Sequence, residues 1–140
     1  MPLKGFTSLC DERASQIVSR DKKNPQYHRA INAEKAYVTH YQIDGKVITN
    51  GSRCDFLLIN ENKQMAYLIE LKGSDLVKAA EQLEATEIVL KKELKNYKLN
   101  YRIIANKCRT HEINSSAYRK YQIKWEKNLI QSSGHYEEKI

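Results

Sequence analysis

Three ionisable residues, Asp55, Glu70 and Lys72, sit within or beside apolar runs. Asp55 heads the run 56–59, Phe-Leu-Leu-Ile, and Glu70 and Lys72 flank Leu71 directly after Tyr67, Leu68 and Ile69. Alternation in a strand sends residues i and i+2 to one face, so Glu70 and Lys72 point together and Leu71 points away. Charge in so apolar a setting must be paired, bound to a metal or placed at a strand end. Two carboxylates converging from neighbouring strands are hard oxygen ligands of the kind Mg²⁺ takes, with Mn²⁺ as a substitute. The main-chain carbonyl of Leu71 is a further candidate ligand, and water and a substrate phosphate would fill the remaining positions. A cation held there would polarise a phosphoryl oxygen and acidify a water molecule. Lys72 would orient or deprotonate that water, or hold the charge of the oxyanion. The chemistry this set allows is phosphodiester hydrolysis.

Local patterns predict the elements that must position these residues. Residues 6–20 read as a helix capped by Thr7 or Ser8, with Asp11 and Glu12 in its early turns and Leu9, Cys10, Ala14, Ile17 and Val18 at helical spacing. Residues 21–30, DKKNPQYHRA, read as a basic loop broken at Asn24-Pro25, in which His28 is expected to be exposed. Strands are expected at 36–43 and 46–49 around an Asp44-Gly45 hairpin turn, at 54–59, and at 65–72 after the polar loop 60–63. Gly73 closes the last of these. Ser74 or Asp75 then caps a long helix, 76–97, whose buried stripe is Leu76, Ala79, Ala80, Leu83, Ile88, Leu90 and Leu94.

A strand at 99–105 should run parallel to 65–72, because a helix joins them. Ser115 should cap a final helix through 127, packing Tyr118, Tyr121 and Trp125 on the sheet, and 129–131 and 135–140 should form a terminal strand or hairpin. Tyr37, Tyr41 and Tyr67 belong to strand patterns, and Cys54 should pack in the core. The order predicts one α/β domain over 1–140, a sandwich with a mixed central sheet. Hairpin pairing would bring Asp55 to the Glu70/Lys72 face.

Asp55, fourteen intervening residues, Glu70-Leu71-Lys72, a glycine and then a helix together resemble the core of the PD-(D/E)xK nuclease superfamily over residues 36–105. The resemblance implies a restriction-endonuclease-like three-layer sandwich, its mixed central sheet flanked by helices, and Mg²⁺-dependent cleavage of nucleic acid. It implies Asp55 and Glu70 as metal ligands and Lys72 as the catalytic lysine. Some exonuclease-like members carry a glutamine in the following helix and a tyrosine four residues on; here Gln82 matches, whereas Thr86 stands in the tyrosine place. Cys54 replaces the family's proline, which does no chemistry. Many members also use an acid from the first helix, for which Glu12 is the candidate and Glu34 the alternative.

Composition narrows the partner. The chain of 140 residues carries a net charge of +7, and residues 91–127 hold eleven lysines and arginines against three acids. Such a balance suits a polyanion. Lys91, Lys92, Arg109, Arg119, Lys120 and Lys124 are candidate phosphate contacts, which position a backbone without reading sequence. Three cysteines without a CxxC pair, and four histidines without metal-ligand spacing, argue against a disulfide framework and a zinc site. No stretch approaches the ~20 apolar residues of a membrane span, so a cytoplasmic protein is expected.

The reading is a metal-dependent DNA endonuclease of structure-selective or weak sequence specificity, Holliday-junction-resolvase-like. Cutting both strands calls for two sites, hence a homodimer, and a protein partner is a further source of targeting. The alternative is an inactive nuclease-fold module that binds nucleic acid or protein, since Glu and Lys alternate on many edge strands as weak ion pairs.

Overall fold

The computed structural model describes residues 3–140. The strands are β1 (Gln16–Arg20), β2 (Tyr27–Ile31), β3 (Val38–Gln42), β4 (Phe56–Asn60), β5 (Met65–Lys72), β6 (Lys98–Ala105), β7 (Leu129–Ser133) and β8 (His135–Lys139). The helices are α1 (Leu76–Val89), α2 (Thr110–Ile113) and α3 (Ser116–Trp125). A five-stranded sheet has the order β3-β4-β5-β6-β7, and a three-stranded sheet has the order β1-β2-β8. The larger sheet is mixed: β3, β4 and β5 pair antiparallel, while β5, β6 and β7 pair parallel.

Alternation along β5 builds both sides of the core. Ala66 and Leu68 face a cluster with Leu76, Ala79, Ala80 and Leu83 of α1 and Tyr118, Tyr121 and Trp125 of α3. Tyr67, Ile69 and Leu71 face the opposite way, against Ile17, Ala30 and Ile140. The result is an α/β sandwich of three layers in which helices cover one face of the central sheet. The second face is covered by the three-stranded sheet, where the family resemblance implied flanking helices.

That difference begins at the N-terminus. Residues 6–15 form bends and turns, and 16–20 are β1 rather than the end of a helix. The supposed helical stripe is not buried as one face: Leu9 is 59 % exposed and Val18 40 %, while Ile17 is buried. Pairing with β2 decides the matter, with Ile17 and Ser19 turned inward. The segment read as a basic loop contains β2, whose inward residues are His28 and Ala30. A buried histidine and an alanine give no apolar alternation, so the strand leaves no signature in sequence.

Elsewhere the pattern holds more closely. Asp75 caps α1 by accepting from the Lys78 N–H at 3.0 Å, and Ser115 caps α3 by accepting from the Tyr118 N–H at 3.2 Å. The helix α1 stops at Val89 instead of 97. Leu90 and Leu94 stay buried in successive turns, and the Tyr97 hydroxyl is tied to Glu61 at 2.5 Å, while Ile88, expected in the stripe, is 68 % exposed. The segment 46–49 is not a strand. The Ile43 carbonyl accepts from Lys46, Val47 and Ile48 N–H groups in a tight turn, with Gly45 at φ +76° where other residues are strained. The terminal strands do not form a hairpin, since β7 joins the large sheet and β8 the small one. Cys10, Cys54 and Cys108 form no disulfide. Among the described residues no helix is long and apolar enough to cross a membrane.

Candidate active site

Asp55 lies one residue ahead of β4 and is held by its backbone on both sides. Its N–H donates to the Ile69 carbonyl at 3.1 Å, and its carbonyl accepts from the Ile43 N–H at 2.8 Å. Its side-chain Oδ2 accepts from the Leu71 N–H at 2.8 Å, which places the carboxylate against the backbone between Glu70 and Lys72. In a strand the N–H and C=O of one residue lie on the same edge, so the Leu71 carbonyl is directed toward the Asp55 side as well. The structure therefore brings Asp55, Glu70, Leu71 and Lys72 together at one end of the central sheet.

Glu70 is 3 % exposed, and its Oε1 has no hydrogen-bond partner. Burial, with the Asp55 charge second, pushes its carboxyl up to about 9, against the opposing pull of Lys72. Burial likewise raises Asp55 to about 6, while the Leu71 N–H bond and the Lys72 ammonium pull the other way. Lys72 is half-buried and has no acid within ion-pair distance among the described residues. A buried and a half-buried carboxyl facing a single lysine form a site short of positive charge. The donor set fits a divalent cation: carboxylate oxygens of Asp55 and Glu70, one of them orphaned, with the Leu71 carbonyl beside them. Among the described residues no third acid joins them, and no group of three His, Cys, Asp or Glu side chains is arranged to hold a metal.

The acids expected from the N-terminal region lie elsewhere. The Glu12 carbonyl accepts from the Val38 N–H, at the start of β3, and Asp55 pairs with Ile43 at its end; five residues of strand separate them by about 17 Å. Glu34 is exposed and paired with Lys63 at 3.0 Å. With no helix over residues 6–20, nothing carries Glu12 toward Glu70. Asp44 is the acid that the chain does place nearby. It directly follows Ile43, adds negative charge against both Asp55 and Glu70, and is paired with Arg53 at 2.7 Å. The Ile43–Asp55 pairing, had the register been known, would have pointed to it.

Gln82 reaches the site's flank from α1. Its Nε2 donates to the Arg53 carbonyl at 3.3 Å and its Oε1 is buried without a partner, beside Asp44 and Arg53 in a recess of about 270 Å³. Thr86, four residues on, serves the fold, because its hydroxyl accepts from the Cys54 N–H at 2.7 Å and donates to the Gln82 carbonyl at 2.9 Å. This bond clamps α1 to the residue before Asp55, and Cys54 itself is fully buried. Thr86→Val should leave the Cys54 N–H buried without an acceptor and cost about 1–3 kcal/mol, read as a lower midpoint in urea unfolding at unchanged slope.

Asp55 opens on a cleft of about 440 Å³ lined also by residues 20–23, Gln42, Asp44, Lys46 and Phe56. Its cations are Arg20, Lys22, Lys23 and Lys46. None of the six basic residues singled out in the C-terminal part lines it. Lys91 and Lys92 are exposed after α1, Arg109 precedes α2, and Arg119, Lys120 and Lys124 lie on α3, with Lys124 paired to Glu84 at 2.8 Å. No protein-family model matches this chain, and neither a curated protein nor a solved structure matches it significantly.

Proposed function

We propose that the chain is a metal-dependent nuclease of the PD-(D/E)xK type, with a restriction-endonuclease-like core, acting on DNA as an endonuclease. The observation that carries this reading is the buried Glu70 with an orphaned oxygen beside Asp55, with Lys72 on the same strand face and a cation-rimmed cleft that opens on Asp55. Buried carboxyls left without a counter-charge are costly, and proteins keep such arrangements where function needs them.

Asp55 and Glu70, with the Leu71 carbonyl, hold Mg²⁺ or Mn²⁺ in this reading. The cation supplies positive charge against the phosphoryl group and acidity for a water molecule. Asp55 is oriented by the Leu71 N–H, so its free oxygen needs no rearrangement to act as a ligand. Lys72 places its ammonium where charge builds on the phosphoryl oxygens, and it orients the attacking water. The water oxygen would bond to phosphorus and give up a proton to solvent as a phosphorus–ester oxygen bond breaks, and the departing alkoxide would take up a proton from solvent. Two copies of the chain would be needed to cut both strands of a duplex.

Assays with Mg²⁺ and Mn²⁺ on branched, duplex and single-stranded DNA, with matched RNA, test the reading. Cleavage of RNA alone would change the substrate, since no residue here reports on the 2′-hydroxyl. That no third acid joins Asp55 and Glu70 among the described residues favours a second reading, a module that binds nucleic acid without turnover; binding without cleavage under every metal would establish it.

Metal binding should depend on pH in a defined direction. Because the Glu70 and Asp55 carboxyls are raised, the folded metal-free protein binds more protons than the unfolded chain. Its stability should fall as pH rises from the ordinary carboxylate range toward about 9. Mn²⁺ needs both groups ionised, so it should release protons on binding and raise the melting temperature more at pH 8 than at pH 6. A shift independent of pH would mean that the cation sits elsewhere.

A further inference from the structure

We propose that the loop between β1 and β2, together with Lys46 of the same cleft, grips the phosphate backbone of a nucleic acid and presents one phosphodiester to Asp55. The inference rests on reading the site as acting on nucleic acid, and it moves the binding surface from the helical layer to the N-terminal hairpin.

The loop is held against the acid-bearing strand. Gln26, 2 % exposed, donates from Nε2 to the Lys72 carbonyl at 3.4 Å, and at the base of β2 the Tyr27 N–H donates to the Gly134 carbonyl at 3.4 Å. Asp21 shapes the turn by accepting from the Lys23 N–H at 3.1 Å and from Asn24 Nδ2 at 3.3 Å. The lysine side chains at 22 and 23 are left exposed. Lys22, Lys23 and Lys46 have no acid within ion-pair distance among the described residues, whereas Arg29, Arg53, Lys63 and Lys124 are all paired. Arg20 also has no acidic partner among the described residues, and its guanidinium lies 4.7 Å over the Tyr27 ring.

This arrangement suits a polymer better than a small anion. A lone anion entering the cleft would meet the carboxylates of Asp55 and Asp44 along with the lysines. A strand carries a charge on every nucleotide, so flanking phosphates can pair with the rim while one reaches the acids. Cations from two separate segments, the β1–β2 loop and the turn after β3, line the one cleft and so constrain where the strand crosses it.

Binding of short fluorescent single-stranded and duplex DNA, and of RNA, measured by anisotropy across a salt series with EDTA present, tests this. The triple variant Lys22→Ser/Lys23→Ser/Lys46→Ser should raise Kd on the order of tenfold to a hundredfold and flatten the slope of log affinity against log salt by about 3 on duplex. In cleavage with Mn²⁺ the same variant should raise KM and keep kcat. Lys91→Ser/Arg119→Ser/Lys120→Ser removes equal charge from the helical layer and should have the smaller effect. Melting curves of both variants should match the wild type, since all six side chains are exposed. If the wild type cuts and the helical variant loses more affinity, the inference falls while the nuclease reading stands. If the wild type neither binds nor cuts any of these polymers, both fall.

Discussion

Lys72→Ala is expected to lower the rate of metal-dependent DNA cleavage by about 10²–10⁴-fold while the protein stays folded. Lys72 is half-buried at the end of β5, and its ammonium acts on both Asp55 and Glu70, against the burial that raises them. On the proposed reading, removing it would take away the cation facing the phosphoryl oxygens and leave the proposed metal ligands in place. Asp55→Asn and Glu70→Gln should abolish cleavage by a different route, through loss of metal, visible as loss of the Mn²⁺-induced melting shift. Glu70→Gln adds a readout that a surface ion pair would not give. An amide needs no ionisation in a buried place, so this variant should be more stable than the wild type above neutral pH in EDTA. Loss of activity joined to gain of stability is the mark of a residue kept for function. Equal cleavage by Lys72→Ala and wild type would place the chemistry elsewhere.

The second large effect concerns the joint between the two sheets. Glu138 of β8 accepts from Arg102 of β6 through both oxygens, Nε to Oε2 at 2.7 Å and an outer nitrogen to Oε1 at 2.9 Å. It also pairs with His28 Nε2 of β2 at 2.7 Å, and His28 is fully buried. Arg102, 5 % exposed, donates further to the Asn128 and Tyr101 carbonyls at 2.8 and 3.1 Å and stacks over the Tyr67 ring. Glu138→Ala leaves a buried guanidinium without its counter-charge and should cost about 3–5 kcal/mol, a large share of the roughly 5–15 kcal/mol typical of a domain. Urea unfolding measures it.

Burial alone would raise the Glu138 carboxyl, but the His28 and Arg102 hydrogen bonds and the Arg102 charge hold it below the usual range. Its contribution is therefore complete above that range and is lost as pH falls through the lowered value. Glu138→Gln should remove that acid-side loss. Replacing the pair together, Arg102→Met with Glu138→Leu, should recover much of the stability, because the cost lies in the uncompensated charge. A small effect of Glu138→Ala would mean that the sheets are held by apolar packing alone.

What could be read from residues alone follows a physical divide. The segment from β4 to β6 is legible because its signals are local: apolar runs bounded by turn residues, a capping aspartate, and a glycine after Lys72. Asp55, Glu70 and Lys72 stand out for the same reason, as charges in apolar surroundings, and strand pairing sets them together as alternation requires. The N-terminal third is opaque. In β1 and β2 the inward positions are Ile17, Ser19, His28 and Ala30, and two of these are polar groups made tolerable by His40 and Glu138, which lie 21 and 110 residues away. No local pattern announces such partners.

Other features took shape only in three dimensions. Residues 20–23, Asp44 and Lys46 reach the cleft because strand register and sheet stacking bring distant loops to one end of the molecule, and charge counted along the chain cannot see that. Sequence by itself singled out Asp55, Glu70 and Lys72 and set Glu70 and Lys72 on one strand face, since those are matters of residue type and strand parity. The tertiary structure alone decided which cations face them, because a long-range electrostatic field depends on where side chains end up in space.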